Sequence, residues 1–138
     1  MSEIVIEIPE PWPLLNQWQR MHWRERRRTN ERIAWLIRTS QGFRVAQWRK
    51  TPIQQCAIVA ERYHGNGANH LPDFDNLYAG LKPMLDSLVP ASKRHPHGLG
   101  LIQDDSPKHI TSLAAHPYLK DAKGSRSVIR IIVPDGED

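Results

Sequence analysis

Residues Glu3 to Ile8 alternate, with Ile4, Ile6 and Ile8 on one face and Glu3, Val5 and Glu7 on the other. A period of two predicts a half-buried strand, and Pro9, Pro11 and Pro13 end it. A second strand is predicted from Gln54 to Tyr63. A third runs from Val128 to Val133, where Arg130 interrupts a β-branched apolar run. A fourth, Lys108 to His116, alternates less regularly and is placed mainly by its flanking turns. Between the first two strands, Ile33, Leu36, Ile37 and Ser40 follow helical spacing. Either Thr29 or Asn30 caps this helix, or it begins nearer Met21 and takes in Arg26, Arg27 and Arg28, with Gly42 ending or bending it. Leu77, Leu81, Met84, Leu85 and Leu88 form the apolar stripe of a second helix. Pro83 lies inside that stripe, where it removes a hydrogen bond and crowds the preceding turn, so a kink is predicted around Gly80 to Pro83. His64 to Leu71, Ser92 to Gly100 and Pro117 to Arg126 read as loops. The pattern is that of an α/β (α+β) fold of about four strands and two main helices.

At 138 residues the chain reads as one domain, residues 1–138. With 39% hydrophobic and 25% charged residues the composition is that of an ordinary globular protein and favours neither a disordered nor a fibrous class. Met1 to Ile8 has no basic segment leading into an apolar run, and no stretch approaches the ~18 apolar residues of a membrane span. A cytoplasmic protein with no membrane partner is therefore expected. Cys56 is the sole cysteine, which rules out an intrachain disulfide or a cysteine-based zinc site, and it reads as a small core residue. Net charge is +4, but residues 20–50 hold ten Lys or Arg against two Glu. A segment this basic suits a polyanion, because each cation that meets a phosphate releases a condensed counterion; a solvated helix face is the alternative.

The candidate chemistry lies in Pro72-Asp73-Phe74-Asp75-Asn76-Leu77 and in Gln103-Asp104-Asp105-Ser106-Pro107. Asp73 and Asp75 project to one side if the chain is extended there; alternatively Asp75 caps the following helix. Brought together, three or four carboxylates repel one another unless a divalent cation neutralises them, and oxygen ligands favour Mg²⁺ or Mn²⁺ over zinc. Such a metal beside a basic surface serves phosphodiester hydrolysis, by activating a water and stabilising the leaving oxygen. Lys82 lies close to two helical turns after Asp75. It is either a cation near the scissile phosphate or the partner of Asp86 at i+4.

At these residues the sequence resembles the RusA-type Holliday junction resolvases, small homodimeric endonucleases common in prophages. Asp73-Phe74-Asp75-Asn76-Leu77 carries the resemblance, continued by Lys82, by Leu85-Asp86-Ser87-Leu88 and by Asp104-Asp105 before a strand. More loosely it covers the whole chain, from the first strand and the proline-rich turn running to Asn16, through the basic helical segment, to the last strand. The resemblance implies a mixed sheet with helices packed on it and a homodimer making paired, symmetric nicks in a four-way junction in DNA recombination and repair. It implies Asp73, Asp75 and Asp105 as catalytic metal ligands, Asp104 as a neighbour, and Mg²⁺ as cofactor with Mn²⁺ a possible substitute. The family's catalytic lysine falls one turn after the first motif, where this chain has Ala79, and Lys82 is the expected substitute. Arg20, Arg24, Arg26, Arg27 and Arg28 are then expected on backbone phosphates.

All five tryptophans, Trp12, Trp18, Trp23, Trp35 and Trp48, fall in the first 48 residues. Trp35 is expected in the core, and Trp18 and Trp23, beside the arginines, are candidates for DNA or dimer contacts. His95 and His97 read as solvated loop histidines rather than metal ligands, and Ser106 with His109 suggests no hydrolase triad. Two other functions stay open: a protein that binds branched DNA without cutting it, and a related nuclease specific for flaps or forks.

Overall fold

The computed structural model describes residues 1–64, 70–119 and 124–136. Four strands, β1 (Ser2–Ile8), β2 (Cys56–Tyr63), β3 (Ile110–Tyr118) and β4 (Arg126–Val133), form one mixed sheet in the order β1-β4-β2-β3. Antiparallel pairs join β1 to β4 and β2 to β4, whereas β2 and β3 run parallel. Register follows from the alternation in the sequence. Ile4, Ile131 and Ile58 lie side by side, as do Ile6, Ile129 and Ala60, and these rows feed one core. On the opposite face the strands pair their charges. Arg130 meets Glu3 at 2.9 Å and Glu61 at 3.3 Å, and Arg126 meets Glu7 at 2.9 Å.

Among the described residues there are five helices, α1 (Leu15–Arg20), α2 (Trp23–Thr39), α3 (Gln41–Ala46), α4 (Phe74–Gly80) and α5 (Lys82–Leu88), of which all but α1 bury residues. Of the two starts open for the basic helix, the earlier is found, with the His22 ring accepting from the Arg24 N–H as N-cap. Thr29 is buried within α2 rather than capping it. Ser40 ends α2 and caps α3, so the break falls two residues before Gly42. The Leu77-to-Leu88 stripe is interrupted where predicted. Leu81 separates α4 from α5, and Pro83 sits in the first turn of α5, where its missing N–H costs nothing. Cys56 is buried, as expected.

Trp35 departs from expectation, with 60% of its surface exposed. It lies two residues from both Ile33 and Ile37, about 200° round the helix from each, and those two hold the core face. Trp12 is instead the tryptophan that is fully buried. It is locked by its own polar groups: its N–H donates to Ser127 Oγ at 2.8 Å and its indole Nε1 to the Leu77 carbonyl at 3.0 Å. Arg62 Nε donates to the Trp12 carbonyl at 2.6 Å. Burial lowers the Arg62 pKa to about 10, so the guanidinium is still charged at neutral pH. His64 beside it is pushed down by burial and by the Arg62 charge. Of the predicted loops, residues 65–69 and 120–123 lie outside the described residues, and the last strand starts earlier and the third ends later than the alternation suggested.

Gly80 sets how closely α4 approaches the proline-rich turn, because a β-carbon there would run into the Pro13 carbonyl and Leu14. Gly80→Ala is therefore expected to destabilise the fold by about 2 kcal/mol or more, read from the midpoint of urea unfolding. An unchanged midpoint would contradict this close packing.

Candidate functional site

The first acidic motif opens α4. Asp73, in extended conformation at φ −71° and ψ 164°, is the N-cap, and its Oδ1 accepts from the Asn76 N–H at 2.9 Å. The cap is thus Asp73 and not Asp75, which lies within the first helical turn. There its charge complements the helix dipole. Extended backbone stops at Asp73, so the two carboxylates do not share the strand-like relation their spacing allowed. The Asp75 side chain is exposed and makes no hydrogen bond or ion pair among the described residues. Asn76 ties the motif to α1, its Oδ1 accepting from the Asn16 N–H at 3.2 Å.

The second motif is held at both ends. Leu101 and Ile102, both buried, donate to the Leu88 carbonyl at 2.8 and 3.0 Å, and Gln103 donates to Ile53 at 3.0 Å. Beyond Asp105, His109 and Ile110 both donate to the Ser106 carbonyl, a turn that starts β3. Asp104 is exposed and Asp105 is half-buried.

Lys82 holds the second motif against α5. At the first position of α5 its ammonium pairs with Asp86 Oδ1 at 2.9 Å and also bonds Asp105 Oδ2. The i+4 pairing weighed from the sequence exists, and Asp105 is a second partner that no helical spacing could show. Burial alone would lower the Lys82 pKa, but hydrogen bonds to Asp105 and Asp86 outweigh it and raise the value. Burial likewise works against the charge on Asp105, and the Lys82 bond reverses it, leaving that carboxyl below its ordinary value. Ala79, one turn after the first motif, is exposed.

Sequence reasoning missed His95. The loop after α5 folds back through a bridge between Pro90 and Leu99, and places His95 Nδ1 3.6 Å from Asp86 Oδ2. His97 Nε2 lies 3.7 Å from Glu31. A pocket of about 220 Å³ lies between Asn30 of α2, Pro83, Asp86 and Ser87 of α5, and this histidine loop. Adjoining it is a groove of about 470 Å³ lined by Trp18, Trp23, Arg26, Arg27, Asn30, Pro96 and His97. No periodic signal marks the loop, because its contacts are long-range.

The basic residues lie on α1 and α2, with Arg26 and Arg27 lining the groove and Arg24 and Arg28 exposed further round α2. Arg26 Nε donates to the Trp18 carbonyl at 3.2 Å, with its guanidinium 5.9 Å from the centre of that indole. Arg24 lies 5.3 Å from the centre of the Trp23 ring. Arg27 pairs with Glu31 at 3.4 Å, whereas Arg20, Arg24 and Arg28 have no acidic partner among the described residues.

Carboxylate oxygens are the donors a hard divalent cation takes, so the chemistry of Asp73, Asp75, Asp104 and Asp105 suits Mg²⁺ or Mn²⁺. Their arrangement here does not gather them round one ion. Asp105 is held by Lys82 and Asp73 by its cap, and among the described residues no group of three or more His, Cys, Asp or Glu side chains is placed to hold a metal. No helix among the described residues is long and apolar enough to cross a membrane. Neither a family model nor a curated protein matches the chain.

Because the folded pKa of Asp105 is depressed, its ion pair adds stability above the unfolded carboxylate pKa and loses it as pH falls through the folded value. Asp105→Asn is expected to cost no more than about 1 kcal/mol near neutral pH, since Lys82 is half-exposed, and the difference from wild type should shrink on acidification. Urea unfolding of both proteins at neutral and acid pH measures it; a gap that widens towards acid pH would show that the pair is not the cause.

Proposed function

We propose that this chain is a divalent-cation-dependent, structure-selective endodeoxyribonuclease that nicks four-way DNA junctions in recombination and repair, as its resemblance to the RusA-type resolvases implies. The observation that carries the reading is the Lys82 contact. It brings Asp105, 23 residues further on, against the first residue of α5, the helix that follows the one Asp73 caps. Asp86 of the same α5, also paired with Lys82, lines a pocket that adjoins the groove of Trp18, Trp23, Arg26 and Arg27, whose cations suit a polyanion.

In this reading Asp73, Asp75 and Asp105 are the metal-binding catalytic residues, with Asp104 beside them and Mg²⁺ or Mn²⁺ as the ion. When bound, the metal supplies an activated water and charge stabilisation for hydrolysis to a 5′-phosphate and a 3′-hydroxyl. Lys82 acts as the cation beside the scissile phosphate. Arg20, Arg24, Arg26, Arg27 and Arg28 hold backbone phosphates, with Trp18 and Trp23 as further DNA contacts, so junction shape rather than base sequence is selected. A homodimer is part of the reading, because paired nicks need two sites related by a two-fold axis. The reading also places the protein in the cytoplasm. A second reading, junction binding without cleavage, is favoured by the internal neutralisation of Asp105 by Lys82.

Purified protein incubated with a synthetic four-way junction and Mg²⁺ is expected to give paired nicks of matching polarity, and Asp75→Asn should bind the junction but leave it uncut. Junction binding with no metal-dependent product supports the binding protein, and preferential cutting of flaps or forks supports the related nuclease. Replacing Arg24 or Arg28 by Ala should weaken junction binding and lower the slope of log K against log salt by about one for each phosphate no longer neutralised. An unchanged slope would remove those arginines from the phosphate path.

A further inference from the structure

The groove between α2 and the histidine loop has a composition that phosphate binding alone does not explain. Trp23, Arg26, Arg27 and Asn30 follow i, i+3, i+4, i+7 spacing, so one stripe of α2 faces the groove, while Thr29, Ile33 and Ile37 face the core. Trp18 from α1 forms a further wall, and Pro96 with His97 the opposite one. Trp23 is 58% exposed, and the Asn30 amide has no hydrogen-bond partner among the described residues. Arg26 is fixed by bonds to the Trp18 and Gln19 carbonyls, which keep its guanidinium near the Trp18 ring.

We propose that this groove seats an unpaired nucleotide of single-stranded or locally opened DNA, its base against Trp18 and Trp23 and its edge bonded to Asn30. Every base has a π-face, so stacking on an indole tolerates any sequence, and an amide offers both a donor and an acceptor. Arg26 and Arg27 on the groove wall, with Arg24 and Arg28 further round α2 meeting no acid among the described residues, supply the charge complementarity that favours a nucleic acid over an uncharged partner. Through Asn30 and His97 the groove is continuous with the pocket at Asp86 and His95. An opened strand held there is thus led towards the Lys82 cluster. The inference rests on the proposed reading in taking DNA as the ligand, and it deepens that reading by requiring an unpaired base.

The test uses the full chain in EDTA and fluorescently labelled probes of about twelve nucleotides: an oligothymidine, the same backbone with its bases removed, and a duplex. The oligothymidine is expected to bind about tenfold more tightly than either of the others. Trp23→Ala and Asn30→Ala should abolish that preference. Trp18→Ala should do the same and Trp18→Phe restore it, while Trp48→Ala, outside the groove, leaves it unchanged. Equal affinity for the intact and base-free strands, or a preference surviving both Trp23→Ala and Asn30→Ala in protein with an unaltered circular dichroism spectrum, overturns the proposal. Because no metal is present, the result is separate from the junction assay: loss of nicking with base preference intact refutes the nuclease and leaves the groove, and the reverse outcome does the opposite.

Discussion

Trp12 meets three different elements with its three polar groups: the backbone N–H goes to Ser127 in β4, the carbonyl accepts from Arg62 in β2, and the indole donates to Leu77 in α4. Its ring has no exposed surface, so each of these bonds is formed away from water, where an unmade one would be most costly. Ser127 Oγ in turn donates to the Glu10 carbonyl, fastening the turn one step further back. The proline-rich turn is thereby clamped to the two central strands and to the helix that begins at Asp73. Where that helix lies, and so where its carboxylates stand, follows from the clamp together with the absence of a side chain at Gly80.

Electrostatics divides the molecule along the same layers. The outer sheet face matches its charges in Glu3–Arg130–Glu61 and Glu7–Arg126, while Arg20, Arg24 and Arg28 of α1 and α2 meet no acid among the described residues. Lys82 is shared by two carboxylates that come from different parts of the chain. Two acids sharing one ammonium keep the loop before β3 close to the start of α5.

The strands were legible because one face of the sheet is buried and a period of two records it; β1 and β2 match the alternation closely. The division of the Leu77–Leu88 segment was legible from Pro83, whose ring chemistry is local. What could not be read depended on distance in sequence. Trp12 sits between prolines with no periodic neighbours, His95 reaches Asp86 through a folded-back loop, and Lys82 finds Asp105 far beyond any helical spacing. Trp35 misled because apolar character was read without phase, and Asp75 because either acid of the motif has cap chemistry and only backbone geometry chooses Asp73. Of the candidate site, the acids, the lysine and the arginines were visible as types, whereas their mutual placement was not.

The parallel pairing of β2 with β3 imposes an order of events on the chain. Residues 64–109, which include both acidic motifs, form the crossover between these strands, so β3 can dock only after that long segment has been laid over the core. Closing so large a loop carries an entropic cost before any strand pairing repays it. The Lys82–Asp105 contact lies inside this crossover and shortens the free length of it: it fastens the start of α5 to the turn that leads into β3, so that much of the loop is already folded on itself where β3 pairs with β2.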